Sequence, residues 1–218
     1  MQINESPESF LIRDKGYSII SCSPETLLLK KGDLIKTKPI AGTLRKTKKI
    51  NHNKALAFFR RNEKETKEHN MIVDMERNDL SKICKTGSVK IDKLKTVEEY
   101  RDLFHYVTTI KGVLKNKVTN HEIISSLMPG GSVIGCPKIS TIQLLNQKEK
   151  SDRNIYTGSF GIIHSNGDMR FNIMIRTLLN FKNAIELSVA SGVILGSTAK
   201  KEYNENYIKA KSLLDLFN

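Results

Sequence analysis

The order of strand-like and helix-like segments constrains this 218-residue chain more than any other sequence feature. Short alternating apolar and polar runs, separated by turns that contain Gly or Asp, predict strands, and they occur in two blocks. Segments with helical periodicity separate and follow those blocks. A parallel sheet would need one helix between successive strands, so the pattern favours an α+β fold with antiparallel sheet.

The first forty residues predict two β-hairpins and a loop. The hairpin strands are Phe10–Ile12 with Tyr17–Ser21 and Thr26–Leu29 with Leu34–Lys38, because each pair flanks a short segment that contains Gly and Asp. The following segment, Pro39–Thr43, predicts a loop that leads into helical sequence.

Helical sequence dominates the middle of the chain. Apolar residues recur at helical spacing over Asn53–Ile83, which predicts one long helix, and a shorter helix is predicted at Asn120–Leu127. Between the two helices lie a short predicted strand at Ser88–Ile91 and an extended segment at Tyr100–Ile110.

The second block of strands lies between a glycine-rich loop and a terminal helix. Asn166-Gly167 is a strong hairpin signal, since both residues tolerate the positive φ angles of a two-residue turn. The elements predicted here are a loop at Gly130–Lys138, a helix at Lys138–Gln147, strands at Tyr156–His164, Met169–Leu179 and Ala184–Val189, and a helix at Lys200–Phe217.

The chain has 36 Lys and Arg against 23 Asp and Glu, a formal net charge of +13. A basic face is typical of nucleic-acid binding, but the sequence has no Trp and no stretch in which basic and aromatic residues alternate. Solvated surface is therefore the favoured interpretation, and no nucleic-acid partner is predicted. The excess positive charge would still steer a small anion toward the protein.

Targeting and redox signals predict a reduced, cytoplasmic protein. No segment approaches the roughly 18–20 apolar residues that a membrane helix needs, and residues 1–5 lack the pattern of a secretion signal. Cys22, Cys84 and Cys136 are odd in number and widely spaced, so neither a disulfide framework nor a zinc site is predicted.

Two pairs of glutamates have a spacing that places both carboxylates on one helical face. Glu65 and Glu68 are three residues apart on the long predicted helix, and Glu202 and Glu205 repeat that spacing on the last helix. If the helices face each other, four carboxylates converge, and carboxylate oxygens suit Mg²⁺. The same spacing is common on solvated helices, where ordinary i,i+4 ion pairs would form: Lys64–Glu68 and Glu205–Lys209.

Three further features permit a functional or a structural interpretation. The loop Gly130–Lys138 has enough small residues for backbone N–H groups to approach an anion, but tight turns use the same composition. Arg176 lies within an apolar strand, where burial requires either an anionic ligand or a structural ion pair. His105, between Phe104 and Tyr106, is either a core histidine or a proton donor.

Taken together, these residues resemble the chorismate-utilising enzymes, which include component I of anthranilate synthase and of aminodeoxychorismate synthase. The order and spacing of the motifs hold over nearly the whole chain. The matching segments are Ser23-Pro24-Glu25, Pro39–Thr43, Lys64–His69, Met71–Leu80, Gly130–Ile139, Tyr156-Thr157-Gly158, Asn166–Leu178 and Lys201–Glu205. The resemblance implies an α+β fold like that of anthranilate synthase component I, an antiparallel β-sheet sandwich flanked by helices.

The resemblance also implies a magnesium site and a substrate site. Mg²⁺ would be bound by Glu68 and Glu205, with Glu65 and Glu202 beside it as catalytic groups, and would hold the ring carboxylate of chorismate. Arg176 matches the family's arginine for the enolpyruvyl carboxylate. The full set of implied substrate contacts is Gly42, Thr43, Ser132, Tyr156, Arg176, Gly192 and Lys209.

The implied reaction is attack of ammonia on the chorismate ring with loss of the 4-hydroxyl group. His105 matches the histidine proposed to help that hydroxyl leave, and metal polarisation makes the ring electrophilic. Because the sequence shows no Cys-His-Glu glutaminase apparatus, the expected source of ammonia is a separate glutamine amidotransferase subunit.

Residues that differ between the two branches of the family do not all favour the same branch. Pro129–Ser132 and Phe171–Arg176 look more like the aminodeoxychorismate synthases of para-aminobenzoate and folate synthesis, which is the preferred interpretation. Ala41 stands where many of those enzymes have a nucleophilic lysine and where anthranilate synthases, of tryptophan synthesis, have alanine. Ala190-Ser191-Gly192 replaces a family segment that is normally richer in glycine and lies close to the substrate.

The chain is about half as long as the resemblance implies. Residues 1–218 are therefore expected to form one chorismate-binding domain that is N-terminally incomplete and lacks part of the family's sheet and active-site wall. Because an unpaired sheet edge needs cover, three alternatives follow: a split enzyme with a separate N-terminal half, a reduced form held by a partner, or an inactive truncated remnant.

Overall fold

The computed structural model describes residues 6–100, 103–182 and 184–217. The strands are β1 (Glu8–Asp14), β2 (Tyr17–Ser23), β3 (Thr26–Lys31), β4 (Leu34–Lys38), β5 (Ile40–Arg45), β6 (Lys90–Glu99), β7 (Leu103–Val113), β8 (Gly161–Ile163), β9 (Met169–Asn172), β10 (Thr177–Phe181) and β11 (Ala184–Leu187). The helices are α1 (His52–Arg61), α2 (Glu63–Ile83), α3 (Asn120–Leu127), α4 (Gly131–Ile134), α5 (Lys138–Lys148) and α6 (Ala199–Leu214).

The strands form two antiparallel sheets, which confirms the predicted α+β class. The small sheet has the order β1-β2-β10-β11, and the large sheet has the order β5-β7-β4-β3-β9-β8 with β6 paired to β7. Strand β7 organises the large sheet, because it pairs with β6 along most of its length, with β5 near its start and with β4 near its end. The predicted Tyr100–Ile110 segment becomes β7, and its residues 101 and 102 lie outside the described residues.

One strand predicted from sequence crosses from one sheet to the other. The prediction of a continuous strand over Met169–Leu179 is wrong, because β9 belongs to the large sheet and β10 to the small sheet. At the break, Arg176 has a φ of 50°, a left-handed conformation that costs a non-glycine residue energy. Tertiary hydrogen bonds hold the segment: Cys22 N donates to Arg176 O at 3.0 Å, and Ile173 N to Glu25 O at 3.1 Å.

Three other boundary predictions need correction. The predicted loop Pro39–Thr43 is mostly strand β5, which pairs with β7, and the predicted strand Tyr156–His164 is reduced to β8. The predicted helix Asn53–Ile83 is two helices that meet at Asn62. The Asn62 backbone N–H ends α1 by donating to Phe58 O, and its side chain begins α2 by accepting from Glu65 N.

Separate apolar clusters attach the helices to the sheets. Helices α2 and α3 pack on the large sheet through a cluster that includes the fully buried Leu28, Leu80 and Ile123. Helix α6 packs on the small sheet, where Leu213 contacts Cys22 and Leu178. The two glutamate-bearing helices, α2 and α6, are thus anchored to different sheets. In the described residues, no helix is long and apolar enough to cross a membrane.

Candidate active site

Helices α2 and α6 approach each other through their charged residues. Lys64 on α2 forms an ion pair with Glu202 on α6, and Lys209 Nζ lies 2.8 Å from Glu205 Oε1. The predicted Lys64–Glu68 pair is therefore wrong, since Lys64 connects the two helices instead, whereas the Glu205–Lys209 pair is confirmed. This arrangement brings the two glutamate pairs of the sequence into one region.

The carboxylates of α2 are partly buried and influence each other. Burial raises the pKa of Glu68 to about 7, and the charge on Glu65 adds to that increase. Burial and the charge on Glu205 raise the pKa of Glu65. For Glu202, burial acts to raise the pKa, but hydrogen bonds from Lys64, Ser197 and Ser191 outweigh it and lower the pKa. The cluster therefore favours uptake of a positive charge, either protons or a cation.

Two glycines bring backbone directly against these carboxylates. Gly42 has a φ of +96°, and a Cβ there would lie 2.7 Å from Glu65 Oε2. A Cβ at Gly192 would overlap Glu68 Oε1. Since any side chain would collide with a carboxylate, both positions favour glycine for reasons of space, and at Gly42 also because of φ.

His105 is buried beside the end of the carboxylate cluster. Its Nδ1 lies 3.2 Å from Thr43 Oγ1 and 3.4 Å from Gly42 O. Because a carbonyl oxygen can only accept, the bond to Gly42 requires hydrogen on Nδ1, which leaves the Nε2 lone pair free in the neutral ring. His105 Nε2 has no hydrogen-bond partner among the described residues. Burial, with the charges of Arg176 and Lys209, holds the pKa of His105 well below its usual value.

Arg176 is a buried cation without a paired carboxylate. Its exposed fraction is 7%, and within the described residues it forms no salt bridge. Burial lowers the pKa of Arg176 to about 10, against the opposing influence of Tyr100, Glu25 and Cys22. Of the two interpretations of this residue, the arrangement favours an anionic ligand over a structural ion pair.

The remaining predicted substrate contacts border the same region. Lys209 Nζ donates to Ala190 O at 3.1 Å, and the Ala190 backbone also interacts with Tyr156. Burial raises the pKa of the Glu25 carboxyl to about 7, and Ser132, in the short helix α4 of the glycine-rich loop, lies near that carboxyl and opposes the increase. The two side chains do not reach hydrogen-bonding geometry, because Glu25 Oε1 and Ser132 Oγ are both buried without a partner among the described residues.

The carboxylates of α2 and α6 have the chemistry of a magnesium site but are not gathered around one point. The described residues contain no group of three His, Cys, Asp or Glu side chains arranged to hold a metal. Instead, Lys64 and Lys209 neutralise Glu202 and Glu205. Glu202 Oε2 is buried without a partner in this part of the chain. Oxygen donors, excess negative charge and an orphaned buried oxygen fit a hard cation.

Sequence reasoning missed two residues of the site. Tyr100 packs edge-on against His105 with a ring-centroid distance of 5.2 Å, and Lys64 connects α2 to α6. Lys64 lies in the same matched segment as Glu68, but helical spacing suggested a pair within one helix. No sequence signal indicated that Tyr100 would contact His105.

Comparisons with known proteins agree on one family. The family model for chorismate binding enzymes matches residues 1–215. Aminodeoxychorismate synthase component 1 of Bacillus subtilis is 38% identical over 210 residues, which are 96% of this chain and 45% of that protein. The anthranilate synthase component I-like protein of Synechocystis is 37% identical over 213 residues, which are 97% of this chain and 44% of that protein.

A solved structure has the same fold. Anthranilate synthase component I from Streptococcus pneumoniae superposes with a TM-score of 0.85 at 34% identity, covering 96% of this chain and 46% of that chain. The present chain thus spans about half the length of the proteins that it matches. Relatives named for both products have nearly equal identity, so the identity values do not separate the two branches.

Proposed function

This chain belongs to the chorismate binding enzymes, and from that membership we propose that it takes part in Mg²⁺-dependent amination of chorismate to 4-amino-4-deoxychorismate. One observation carries the proposal: the buried ring of His105 is influenced by both the buried cation of Arg176 and Lys209, which pairs with Glu205 of the carboxylate cluster. Such a pair of sites suits a ligand with two carboxylates, one bound through a metal and the other by the guanidinium.

In the proposed complex, Glu68 and Glu205 hold Mg²⁺, with Glu65 and Glu202 beside it. When bound, the ion would polarise the ring carboxylate of chorismate and make the ring more electrophilic. Lys64 and Lys209 balance the carboxylates in the absence of the ion. Lys209 would then be released from Glu205 to face the substrate.

The other contacts surround the substrate. Arg176 binds the enolpyruvyl carboxylate, and its desolvated position strengthens that contact. Thr43, Tyr156 and Ser132 supply hydroxyl groups. The backbone at Gly42 and Gly192 lies against the carboxylates of α2 and would border the bound substrate.

His105 is the proposed proton donor to the departing 4-hydroxyl group, which leaves as water while ammonia forms the new C–N bond. Burial and two neighbouring cations keep the ring neutral without substrate. Two substrate carboxylates would offset those cations and favour protonation at Nε2. Hydrogen bonding of Nδ1 to Gly42 O would keep the ring oriented during that change.

The proposed partners are chorismate, a glutamine amidotransferase subunit that supplies ammonia, and a separate N-terminal half. The relative with 38% identity is named as a component 1, which supports a multi-component enzyme. This chain spans about half of that relative's length.

Anthranilate synthesis is the second candidate, and one residue favours it. The buried Ala41 offers no nucleophile at the position where many aminodeoxychorismate synthases have lysine. Formation of 4-amino-4-deoxychorismate here would therefore proceed by direct attack of ammonia. An inactive remnant of either enzyme is the remaining alternative.

Product analysis separates these candidates. The protein is incubated with chorismate, Mg²⁺ and ammonium, with and without an amidotransferase subunit, and the products are separated chromatographically. We expect 4-amino-4-deoxychorismate, and Glu68→Gln should abolish its formation without unfolding the chain. Anthranilate as the sole product would refute the preferred branch, and absence of any product in both mixtures would favour the remnant.

A further inference from the structure

Arg153 connects three separate segments of the chain through one side chain. Its Nη1 donates to Val133 O in helix α4 at 3.0 Å and to Thr157 Oγ1 at 3.2 Å. Its Nε and Nη2 donate to the carboxylate of Glu149, at the end of α5, at 2.8 and 2.6 Å. Because the guanidinium is a rigid planar fork, these four contacts fix the three segments relative to one another.

Two of the connected segments carry proposed substrate contacts. Ser132 precedes Val133 in α4, and its Oγ is buried without a hydrogen-bond partner among the described residues. Tyr156 precedes Thr157, and the guanidinium carbon of Arg153 lies 6.0 Å from the centroid of the Tyr156 ring. Arg153 therefore holds the residue next to each of these two contacts, although it is not itself among the predicted site residues.

The turn that carries Tyr156 has a strained backbone. Thr157 has a φ of 65°, a left-handed conformation that a β-branched residue adopts only when neighbouring contacts hold it. The Thr157 backbone N–H donates to Met174 O at 2.9 Å, and the Thr157 hydroxyl donates to Tyr156 O at 2.5 Å. The same hydroxyl accepts from Arg153, so the guanidinium stabilises the conformation that places the Tyr156 side chain.

The glycine-rich loop is fixed to helix α2 by other contacts. A Cβ at Gly131 would overlap Met75 Cε, so the backbone of α4 packs directly on α2. At the other end of the loop, Lys138 Nζ lies 2.5 Å from the buried carboxylate of Asp79. Neither contact reaches the turn of Tyr156. Within the described part of the chain, the bond from Arg153 is the hydrogen bond that joins this anchored loop to that turn.

We propose that Arg153 is a positioning residue that holds the turn of Tyr156 against helix α4 and so places the Tyr156 hydroxyl for contact with the ligand, while Glu149 orients the guanidinium. The inference rests on the proposed function, because the ligand is chorismate. Four of the five N–H groups of Arg153 already have acceptors, and Glu149 balances its charge. Arg153 therefore acts through its neighbours rather than by binding a ligand carboxylate.

The first test measures chorismate affinity calorimetrically at saturating Mg²⁺. Arg153→Lys keeps the charge but not the fork, so we expect affinity to fall roughly tenfold, the effect of one well-placed hydrogen bond to the ligand. Glu149→Gln should weaken binding in the same direction but by less. Arg170→Lys is the matched control, because Arg170 binds the Glu8 carboxylate and Pro7 O in the same manner on β9, and its affinity should equal that of the wild type.

A double-mutant cycle with Tyr156→Phe separates positioning from general destabilisation. If Arg153 acts by placing the Tyr156 hydroxyl, Arg153→Lys should cost little further affinity once that hydroxyl is absent, because the effects of coupled residues are not additive. A general loss of stability would instead weaken binding equally in both backgrounds. Fully additive effects, or wild-type affinity in Arg153→Lys, would overturn the proposal.

A second measurement needs no substrate. Carbon relaxation of labelled tyrosine rings reports the motion of the Tyr156 ring, whose signal is identified by its absence in Tyr156→Phe. Ring motion should increase in Arg153→Lys and in Glu149→Gln, a substitution of an exposed residue that leaves the fold intact, but not in Arg170→Lys.

Unchanged motion of the Tyr156 ring in Glu149→Gln and Arg153→Lys would overturn the positioning role. Absence of chorismate binding by the wild type, with increased ring motion in the variants, would contradict the proposed function and leave the positioning role supported.

Discussion

Gly192 determines how closely backbone can approach the carboxylate of Glu68. A Cβ at this position would overlap Glu68 Oε1, so any side chain here would force the carboxylate end of Glu68 to move. The neighbouring Ala190 and Ser191 carry side chains in a segment that the resemblance expects to be richer in glycine. Of the three positions, Gly192 is thus the one where this chain retains glycine directly against a proposed metal ligand.

We therefore expect Gly192→Ala to displace Glu68 and to weaken Mg²⁺ binding by tenfold or more, since active-site misplacements of about 1 Å cost up to ~100-fold. Isothermal titration calorimetry with Mg²⁺ measures the effect without requiring turnover. Gly196→Ala is the control, because a Cβ there meets nothing within 4 Å. Its φ of +95° predicts a stability loss of roughly 1 kcal/mol with unchanged Mg²⁺ affinity. Equal Mg²⁺ affinities in the two variants would refute the steric explanation.

Glu76 should make stability depend on pH. Its pKa is about 8 in the folded chain and near 4.5 when solvated, so between these values the folded state holds a proton that the unfolded state has lost. The contribution of Glu76 to stability is present below pH 4.5 and is lost as pH rises through 8. We expect the free energy of unfolding to fall by up to about 1.4 kcal/mol per pH unit from this group.

Denaturant unfolding of wild type and Glu76→Gln between pH 4.5 and pH 8 tests that expectation, because the decline occurs between these two pKa values. Glu76→Gln should show a shallower decline with pH, because the substituted side chain cannot ionise. Glu186→Gln serves as the exposed control. A decline of the same slope in all three proteins would show that Glu76 is not a buried acid.

The sequence predicted the surroundings of some site residues but not of others. Periodicity placed Glu65 and Glu68 on one helical face, but the partner of Lys64 could not be predicted, since that choice depends on the packing of α6 against α2. The sequence could not decide whether Arg176 binds an anionic ligand or forms a structural ion pair. The structure favours a ligand, because the buried guanidinium forms no salt bridge in the described residues. Contacts over long sequence separation decided both cases.

At the scale of elements, the break between α1 and α2 sets where the proposed metal-binding face begins. Sequence periodicity continues across Asn62, so the pattern predicted a single helix. The structure instead uses Asn62 as a cap, whose side chain accepts from Glu65 N at 3.3 Å. The cap fixes the first turn of α2, which also carries Lys64 and Glu65.

Asn62→Ala should cost about 1 kcal/mol in unfolding free energy, as loss of an N-cap does, and should also weaken Mg²⁺ binding by loosening the first turn of α2. Asn51→Ala is the matched control, because Asn51 caps α1 by accepting from Lys54 N at 3.0 Å. Chemical denaturation should give similar losses for the two variants, with Mg²⁺ affinity reduced only in Asn62→Ala. A loss of Mg²⁺ affinity in both would point to general destabilisation.

The break between β9 and β10 could not be predicted from the local sequence pattern. Apolar residues continue from Met169 to Leu179, and nothing local indicates a change of sheet. Pairing of β9 with β3 and of β10 with β2 imposes the crossing, and Arg176 absorbs it in a left-handed conformation. By contrast, the helix predicted at Asn120–Leu127 is confirmed as α3, which begins with a Thr119–Glu122 capping box, a local feature.

At the scale of the whole molecule, large apolar side chains remain exposed around α6 and the loop before it. Val193 and Leu195 are 77% and 102% exposed, and Tyr203 and Phe217 are more than half exposed. Exposed apolar side chains of this size favour association. The chain also spans only about half of its relatives, whose remaining residues could supply cover.

The isolated chain is therefore expected to self-associate, because burial of this surface is favourable. Sedimentation velocity at increasing protein concentration measures the association. The double variant Val193→Ser, Leu195→Ser should reduce it, whereas Lys117→Ser, in an exposed turn elsewhere, should not. A wild-type chain that stays monomeric at all concentrations would contradict this expectation.

Chorismate binding by the 218-residue chain is the most direct test of the central claim, that carboxylates of α2 and α6 and the buried Arg176 form one site for a dicarboxylate. Calorimetric titration with chorismate is carried out with Mg²⁺ and with EDTA, for wild type and Arg176→Gln. We predict saturable binding to the wild type that requires Mg²⁺ and is lost or strongly weakened in Arg176→Gln. Binding of equal strength with and without Mg²⁺, or in the wild type and Arg176→Gln, would contradict the account.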